Sequence, residues 1–338
     1  MKKLMYFLAA ALLLGCAREE QMNQEELPLT PKVYHVNLAF AGEVANEVEV
    51  SRDPLSKAGE VDTNDIYIIN VYHKPPLESG YSKYAYGVFD RLENMSLDLY
   101  EGTLYQFKAT LIKDGKDKLK MYYDNTFHWG GDNKTAELEN QFIIGDWDFV
   151  SYDADRGPIY VKINDVDVEY QKMPKWIRYY GELTDYEPSE NAIVSINLFK
   201  AICGVKINVT GLTEGTLNFN MNYASGITIQ SDSLYTPDVI YQCANGVSLG
   251  SMITAINNSE SYRIRNRTSI TWTDATGSRS VKILDEEITY TRLERTIFNV
   301  TLKQGAVEQG NVEFNIEQEE IADGEIHDLE GSISGVEN

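Results

Sequence analysis

Apolar residues recur at every second position along most of this chain, and that period decides the class of fold. In VYHVNLAF, Tyr34, Val36, Leu38 and Phe40 alternate with Val33, His35, Asn37 and Ala39, the pattern of a strand with one buried face. The run DIYIINVYH at 65–73 is rich in Ile, Val and Tyr and stops before Pro75 and Pro76, which cannot donate to a ladder. Residues 95–115 read as two strands about Glu101-Gly102, and 158–170 alternates Ile159, Val161 and Ile163, then Val166 and Val168. A long strand region covers 191–212, and shorter ones fall at 215–223, 269–274, 280–284, 296–303 and 311–318. Helical signal is sparse: 248–258, with Ser248 placed to cap it, and a weaker candidate at 134–142.

Many short strands between Gly and Asn turns predict an all-β chain of β-sandwiches. With 338 residues there is room for two. The polar stretch YGELTDYEPSENA at 180–192 carries Pro188 and precedes the longest strand region. The expected organisation is therefore an N-terminal sandwich over 32–187 and a C-terminal one over 188–338.

A net charge of −22 argues against nucleic acid, whose phosphates need Lys and Arg, and against a polybasic membrane patch. An apolar content of 43% excludes a disordered chain. The 22 tyrosines suit half-buried sheet surfaces, and equally sugar or protein contact faces.

The first residues carry an address. Lys2 and Lys3 precede an apolar run from Leu4 to Leu14 that is too short to span a bilayer. It ends Leu13-Leu14-Gly15-Cys16, which resembles a bacterial lipoprotein lipobox. The resemblance implies that residues 1–15 are a signal peptide and that Cys16 is the point of lipid attachment. Each buried methylene adds roughly 0.8 kcal/mol, so several acyl chains hold firmly. The residues AREE that follow are similar to the surface-export signal of Bacteroidetes lipoproteins. Residues 16–31, polar and acidic and closing on Pro28 and Pro31, read as a flexible tether. The expected location is the outer membrane or cell surface.

Two further cysteines, Cys203 and Cys243, lie in strand-like runs. An oxidising compartment permits a disulfide between them if their Cα atoms come close enough; otherwise they are buried free thiols.

Chemistry is hard to find. His35, His73, His128 and His327 share no metal-ligand spacing, and neither a phosphate loop nor a Gly-x-Ser-x-Gly elbow occurs. No metal, cofactor or catalytic residue is expected. In YYDNTFHWGGDNKTAE at 122–137, Trp129 could stack a sugar and the oxygen-rich turn could hold calcium, against the plainer reading of a loop between strands. In GDWDFVSYDAD at 145–155, Asp146 and Asp148 could serve a glycoside hydrolase, but so acidic a chain makes such pairs by chance.

Four features together resemble the Bacteroidetes fimbrillins, the pilin group of stalk, anchor and tip lipoproteins. They are the lipobox at Cys16, SRDPLSKAGEVDTNDIYIINVY at 51–72, INLFKAICGVKINVTGLTEGTLNFNM at 196–221 and RLERTIFNVTLK at 292–303. The resemblance implies two transthyretin-like β-sandwiches and other fimbrial subunits as partners. It implies assembly in which an arginine-specific protease removes the first strand and a neighbour's strand fills the slot. Arg52 then matches the cleavage position, with Lys57 behind it, and VYHVNLAF is the strand released. The strand NVEFNIEQ, with Val312, Phe314 and Ile316 alternating, is the donor candidate. The acidic tail EEIADGEIHDLEGSISGVEN departs from the family pattern and points to a tip or anchor in place of a stalk subunit. The alternative is a non-polymerising surface lipoprotein that binds glycan or host protein.

Overall fold

A computed structural model describes residues 31–44, 64–93, 95–118, 121–123, 127–129, 140–145, 160–163, 166–169, 177–190, 192–224, 226–231, 233, 236–303 and 312–321. The chain from Val33 onward forms one compact unit and is all-β apart from short helical stretches among the described residues. In chain order the elements are β1 (Val33–Gly42), β2 (Ile66–Lys74), β3 (Ser82–Phe89), β4 (Ser96–Tyr100), β5 (Leu104–Ile112), α1 (Gly115–Lys118), β6 (Met121–Tyr123), β7 (Phe127–Trp129), β8 (Phe142–Ile144), β9 (Tyr160–Ile163), β10 (Val166–Glu169), β11 (Arg178–Tyr186) and β12 (Ile193–Lys200). They continue with β13 (Ile202–Thr210), β14 (Thr216–Met221), β15 (Ile227–Gln230), β16 (Asp238–Gln242), α2 (Val247–Asn257), β17 (Arg263–Thr273), β18 (Ser280–Thr291), β19 (Glu294–Leu302) and β20 (Val312–Glu320).

The first half of the chain builds an eight-stranded sheet in the order β4-β1-β12-β11-β5-β2-β3-β8. Its corner lies between β11 and β12, which pair at Tyr179↔Lys200 and Tyr180↔Phe199. A Cβ on Gly181 would sit 2.0 Å from the Asn197 carbonyl oxygen, so only glycine lets the two strands approach this closely. Beyond the corner the arm β4-β1-β12 folds back over β5 and β2. The Phe40 ring on β1 stacks on Tyr67 of β2, centroids 5.3 Å apart. Val36, Leu38, Leu97, Leu99, Val194, Ile196 and Leu198 meet Tyr67, Ile69, Val71, Tyr105 and Phe107 in one buried core. Alternation in each strand supplies these residues and leaves its polar neighbours outside.

The second half pairs two four-stranded sheets, β16-β13-β19-β20 and β15-β14-β17-β18. Val205, Ile207, Phe298 and Val300 face Leu217, Phe219, Ile270, Trp272 and Tyr290 across a second core. Helix α2 adds Leu249, Met252 and Ile253. Each half contains a parallel pair, β1 with β12 and β13 with β19. The chain crosses from one sheet system to the other at Ala201, whose amide donates to Arg178 O and whose carbonyl accepts from the Cys243 amide. The long apolar region at 191–212 is therefore two strands of two different sheets. The expected boundary at 187/188 falls in the β11–β12 loop, and β12 beyond it lies in the first sheet.

Of the two alternatives left open for Cys203 and Cys243 the fold takes the second: both are free thiols and fully buried. In the β13–β16 ladder Cys203 stands opposite Tyr241 and Ile202 opposite Gln242, which leaves Cys243 diagonal to Cys203 on the same face. Diagonal neighbours lie about 7–8 Å apart at Cα, beyond the roughly 4.4–6.8 Å a disulfide spans. Ser248 does not cap α2: the N-cap is Gly246, at φ +56. The Ser248 hydroxyl instead bonds the amide and carbonyl of Asn245.

Candidate functional site: the first strand and its slot

The sequence reading turns on β1, and the fold seats that strand between two others. On one side β1 runs parallel to β12 from Asn37↔Ile193 to Gly42↔Leu198. On the other it runs antiparallel to β4 from Val33↔Tyr100 to Asn37↔Ser96. It is thus an interior strand whose first half is laddered to β4 and whose second half is laddered to β12, the two registers meeting at Asn37. Val36 and Leu38 point into the core, and burying them contributes roughly 3–6 kcal/mol together. On the outer face His35 Nδ1 lies 2.9 Å from Asp98 Oδ1; on the core face Tyr34 packs at the margin of the core, and its hydroxyl donates to Glu101 Oε1.

The end of β1 is latched. Gly42 has φ +83, a backbone that glycine adopts without strain, and a Cβ there would lie 2.9 Å from Leu198 O. Next to it the Glu43 carboxylate takes a two-pronged contact from Arg292, in the β18–β19 hairpin: Nη2 to Oε1 at 2.9 Å and Nη1 to Oε2 at 3.1 Å. Glu43 also accepts the Lys200 amide at 2.7 Å, while Arg292 Nη1 donates to the Lys200 carbonyl at 3.0 Å. Two facing charged groups with fork-to-fork geometry make a strong pair. This one grips both sides of the residue at which the chain leaves the first sheet system.

The walls of the slot have supports of their own. The Tyr84 hydroxyl donates to Asp98 O at 2.7 Å, and the Tyr100 amide donates to Tyr105 Oη at 2.8 Å. Both rings sit in the core and contact each other edge-on at 5.4 Å. Burial pushes both phenols above their ordinary pKa, so they stay protonated through the physiological range. These bonds fix β4 from the core side, independently of its ladder with β1. On the opposite wall β12 keeps its pairing with β11.

The other residues singled out from sequence divide into three groups. Cys16, Arg52 and Lys57 lie outside the described residues, as does most of 145–155. Trp129 ends β7, where its backbone pairs with Met121; its side chain is outside the described set. Val312, Phe314 and Ile316 lie on β20, an edge strand paired with β19 over nine positions. Val312 and Phe314 are half-buried against the second core, Phe314 stacking on Phe298 at 6.2 Å, while Ile316 is exposed. Arg295 holds this strand through Glu319 at 2.6 Å and reaches Asp238 on β16 at 3.0 Å.

Among the described residues no cluster of His, Cys, Asp and Glu could hold a metal ion, and no helix is long and apolar enough to cross a membrane. Sequence reasoning missed the latch, because Glu43 and Arg292 are separated by 249 positions. It also missed Tyr84 and Tyr105, which look like any other strand tyrosine.

No protein-family description and no curated protein match the chain. Similar solved structures include the fimbrial anchor protein Mfa2 from Porphyromonas gingivalis, at 12% identity and TM-score 0.33, covering 86% of this chain and 98% of the other. The tip fimbrial protein Mfa3 from the same organism, with a C-terminal truncation, aligns at 7% identity and TM-score 0.30, covering 75% and 94%. At such values neither fold nor role is inferred from them.

Proposed function

We infer that this chain is a structural subunit of a cell-surface fimbria, delivered as a lipoprotein and assembled by exchange of its first strand. The observation that carries this reading is the seating of β1. It is an interior strand with a buried apolar face, and the walls on either side keep supports of their own. The segment that leads out of it, 45–63, contains Arg52 and Lys57. A cut there frees Cys16, the tether and β1 as one piece, so loss of the strand and loss of the lipid are a single event. An empty slot exposes apolar side chains and two unpaired backbone edges, and an extended segment of another subunit satisfies both. Val312, Phe314 and Ile316 are the donor candidate; to donate, β20 must first leave β19. On this reading the two halves are separate sandwiches that meet at Lys200-Ala201.

The test uses the chain from Ala17 onward, treated with a trypsin-like protease. The new N-terminus is identified by mass and the product is run unboiled on a denaturing gel. A cut after Arg52 or Lys57 followed by a ladder of heat-sensitive multimers is expected. A chain that is cut but stays monomeric, with the 17–52 piece still bound, overturns strand exchange and leaves an anchor or a surface binding protein.

A further inference from the structure

The outer face of β17 carries Arg263, Arg265 and Arg267 at alternate positions, all exposed, in a chain of net charge −22. Their inward neighbours Asn266 and Thr268 are buried, so the pleat turns all three arginines outward, at intervals of about 7 Å. Arg267 Nε binds Asp285 at 2.7 Å and still has 61% of its side chain exposed; Glu287 stands opposite it in the ladder. Arg263 and Arg265 face Thr291 and Thr289, which bring no charge. Among the described residues the strand has no ladder partner on its other side here: β14 ends at Met221, opposite Thr268, and 263–267 form a ladder with β18.

Beside this stretch, the Asn222 amide donates to Arg267 O and Asn222 O accepts from Asn266 Nδ2. The next residue, Tyr223, is held at φ +61 with 65% of its surface exposed. A positive φ is uncommon for a bulky residue. Here the two bonds of Asn222 fix the turn that presents the tyrosine.

We propose that this face binds an anionic polysaccharide, with Arg263 and Arg265 taking sulfate or carboxylate groups and Tyr223 packing on a sugar ring. Long-range attraction is not available in a chain this acidic, so binding has to come from short, forked contacts, which guanidinium supplies and ammonium does not. Tyr223, whose neighbour Asn222 is bonded to Arg267 and Asn266, adds the apolar face that a pyranose ring requires and a bare anion does not. A second copy of this chain is the poorer occupant. Three of the four carboxylates on its edge strand β20 already have partners: Glu313 with Lys303, Glu317 with Asn299 and Asn315, and Glu319 with Arg295.

The uncleaved chain from Ala17 tests this, which separates the outcome from that of the strand-exchange experiment. Binding to heparin, polygalacturonate and neutral dextran is measured by surface plasmon resonance across a range of salt. Binding to one or both polyanions and not to dextran is expected, and the polyanion preferred tells sulfate from carboxylate. Arg263→Gln with Arg265→Gln should weaken binding roughly tenfold per arginine and reduce the salt slope by about two. Tyr223→Ala should weaken it with the slope unchanged, and Lys303→Gln should leave it alone. No polyanion binding at low salt, or equal binding by the double variant, overturns the proposal. So does self-association of the chain that the same double variant abolishes, since that makes a second copy the occupant.

Discussion

Single residues here are governed by burial more than by charge. Burial pushes the Cys203 thiol up to about 12 and Cys243 well above its ordinary range. Thiolate is the reactive form, so neither should be alkylated by iodoacetamide at neutral pH until the chain is unfolded. Labelling of the native protein, followed by mass spectrometry, checks this. Asp90 shows the opposite balance. Burial opposes its charge, but Lys116 at 3.0 Å, Arg91 and Asn140 outweigh that and hold its carboxyl below the ordinary range. A depressed folded-state pKa contributes stability that is present above the unfolded value of about 4 and is lost as pH falls through the folded one. Melting temperatures taken down through that window should therefore fall less steeply for Asp90→Asn than for the parent chain.

At the scale of elements, β1 and its walls make separable predictions. Leu38→Ala empties a buried position and should cost about 2–5 kcal/mol in denaturant unfolding. Tyr84→Phe and Tyr105→Phe each remove one bond to β4 and should cost about 1 kcal/mol. If the walls stand without β1, these two changes should also slow refilling of the emptied slot by an added strand peptide, while Leu38→Ala acts only on the resident strand. Most of the longer strands were legible in the sequence, because alternation follows directly from one buried face; β3, β8 and β15 were not, and β11 lies partly in the stretch read as a polar boundary. The break at Ala201 was not: β12 and β13 both alternate, so their patterns join smoothly across a change of sheet. Pro188 and its polar neighbours present the opposite case. They mark a loop of the kind expected between domains, and here it turns the chain within one sheet. The parallel pairings of β1 with β12 and β13 with β19 have no local signature, since strand partners far apart in sequence leave none.

Across the whole molecule, the Glu43–Arg292 pair ties the exit of β1 to a hairpin of the second half, through Lys200. Truncating one partner leaves the other charge largely buried and unpaired, which costs about 3–5 kcal/mol for a fully buried pair and less where water reaches it. Arg292→Met should therefore lower stability by a few kcal/mol and speed loss of the 17–52 piece after cleavage, both measured on the same preparation. A variant that loses stability and keeps the parent's release rate would confine the pair to a structural role. Of the candidate site, the sequence made visible the strand and the basic residues behind it. The clamp that holds the strand depends on residues brought together only by folding.

The interior position of β1 also has a mechanical meaning. A pull on the residues that precede Val33 enters the fold along the axis of a strand laddered first to β4 and then to β12. Its ladders with β4 and β12 are then loaded in shear, so many hydrogen bonds share the force and none is peeled singly. Pulled from the Gly42 end and away from the sheet, the same strand would unzip one bond at a time. An intact chain is strong against a pull from its N-terminal side. The contacts that make it so are those a cut behind β1 leaves open to peeling from the other end.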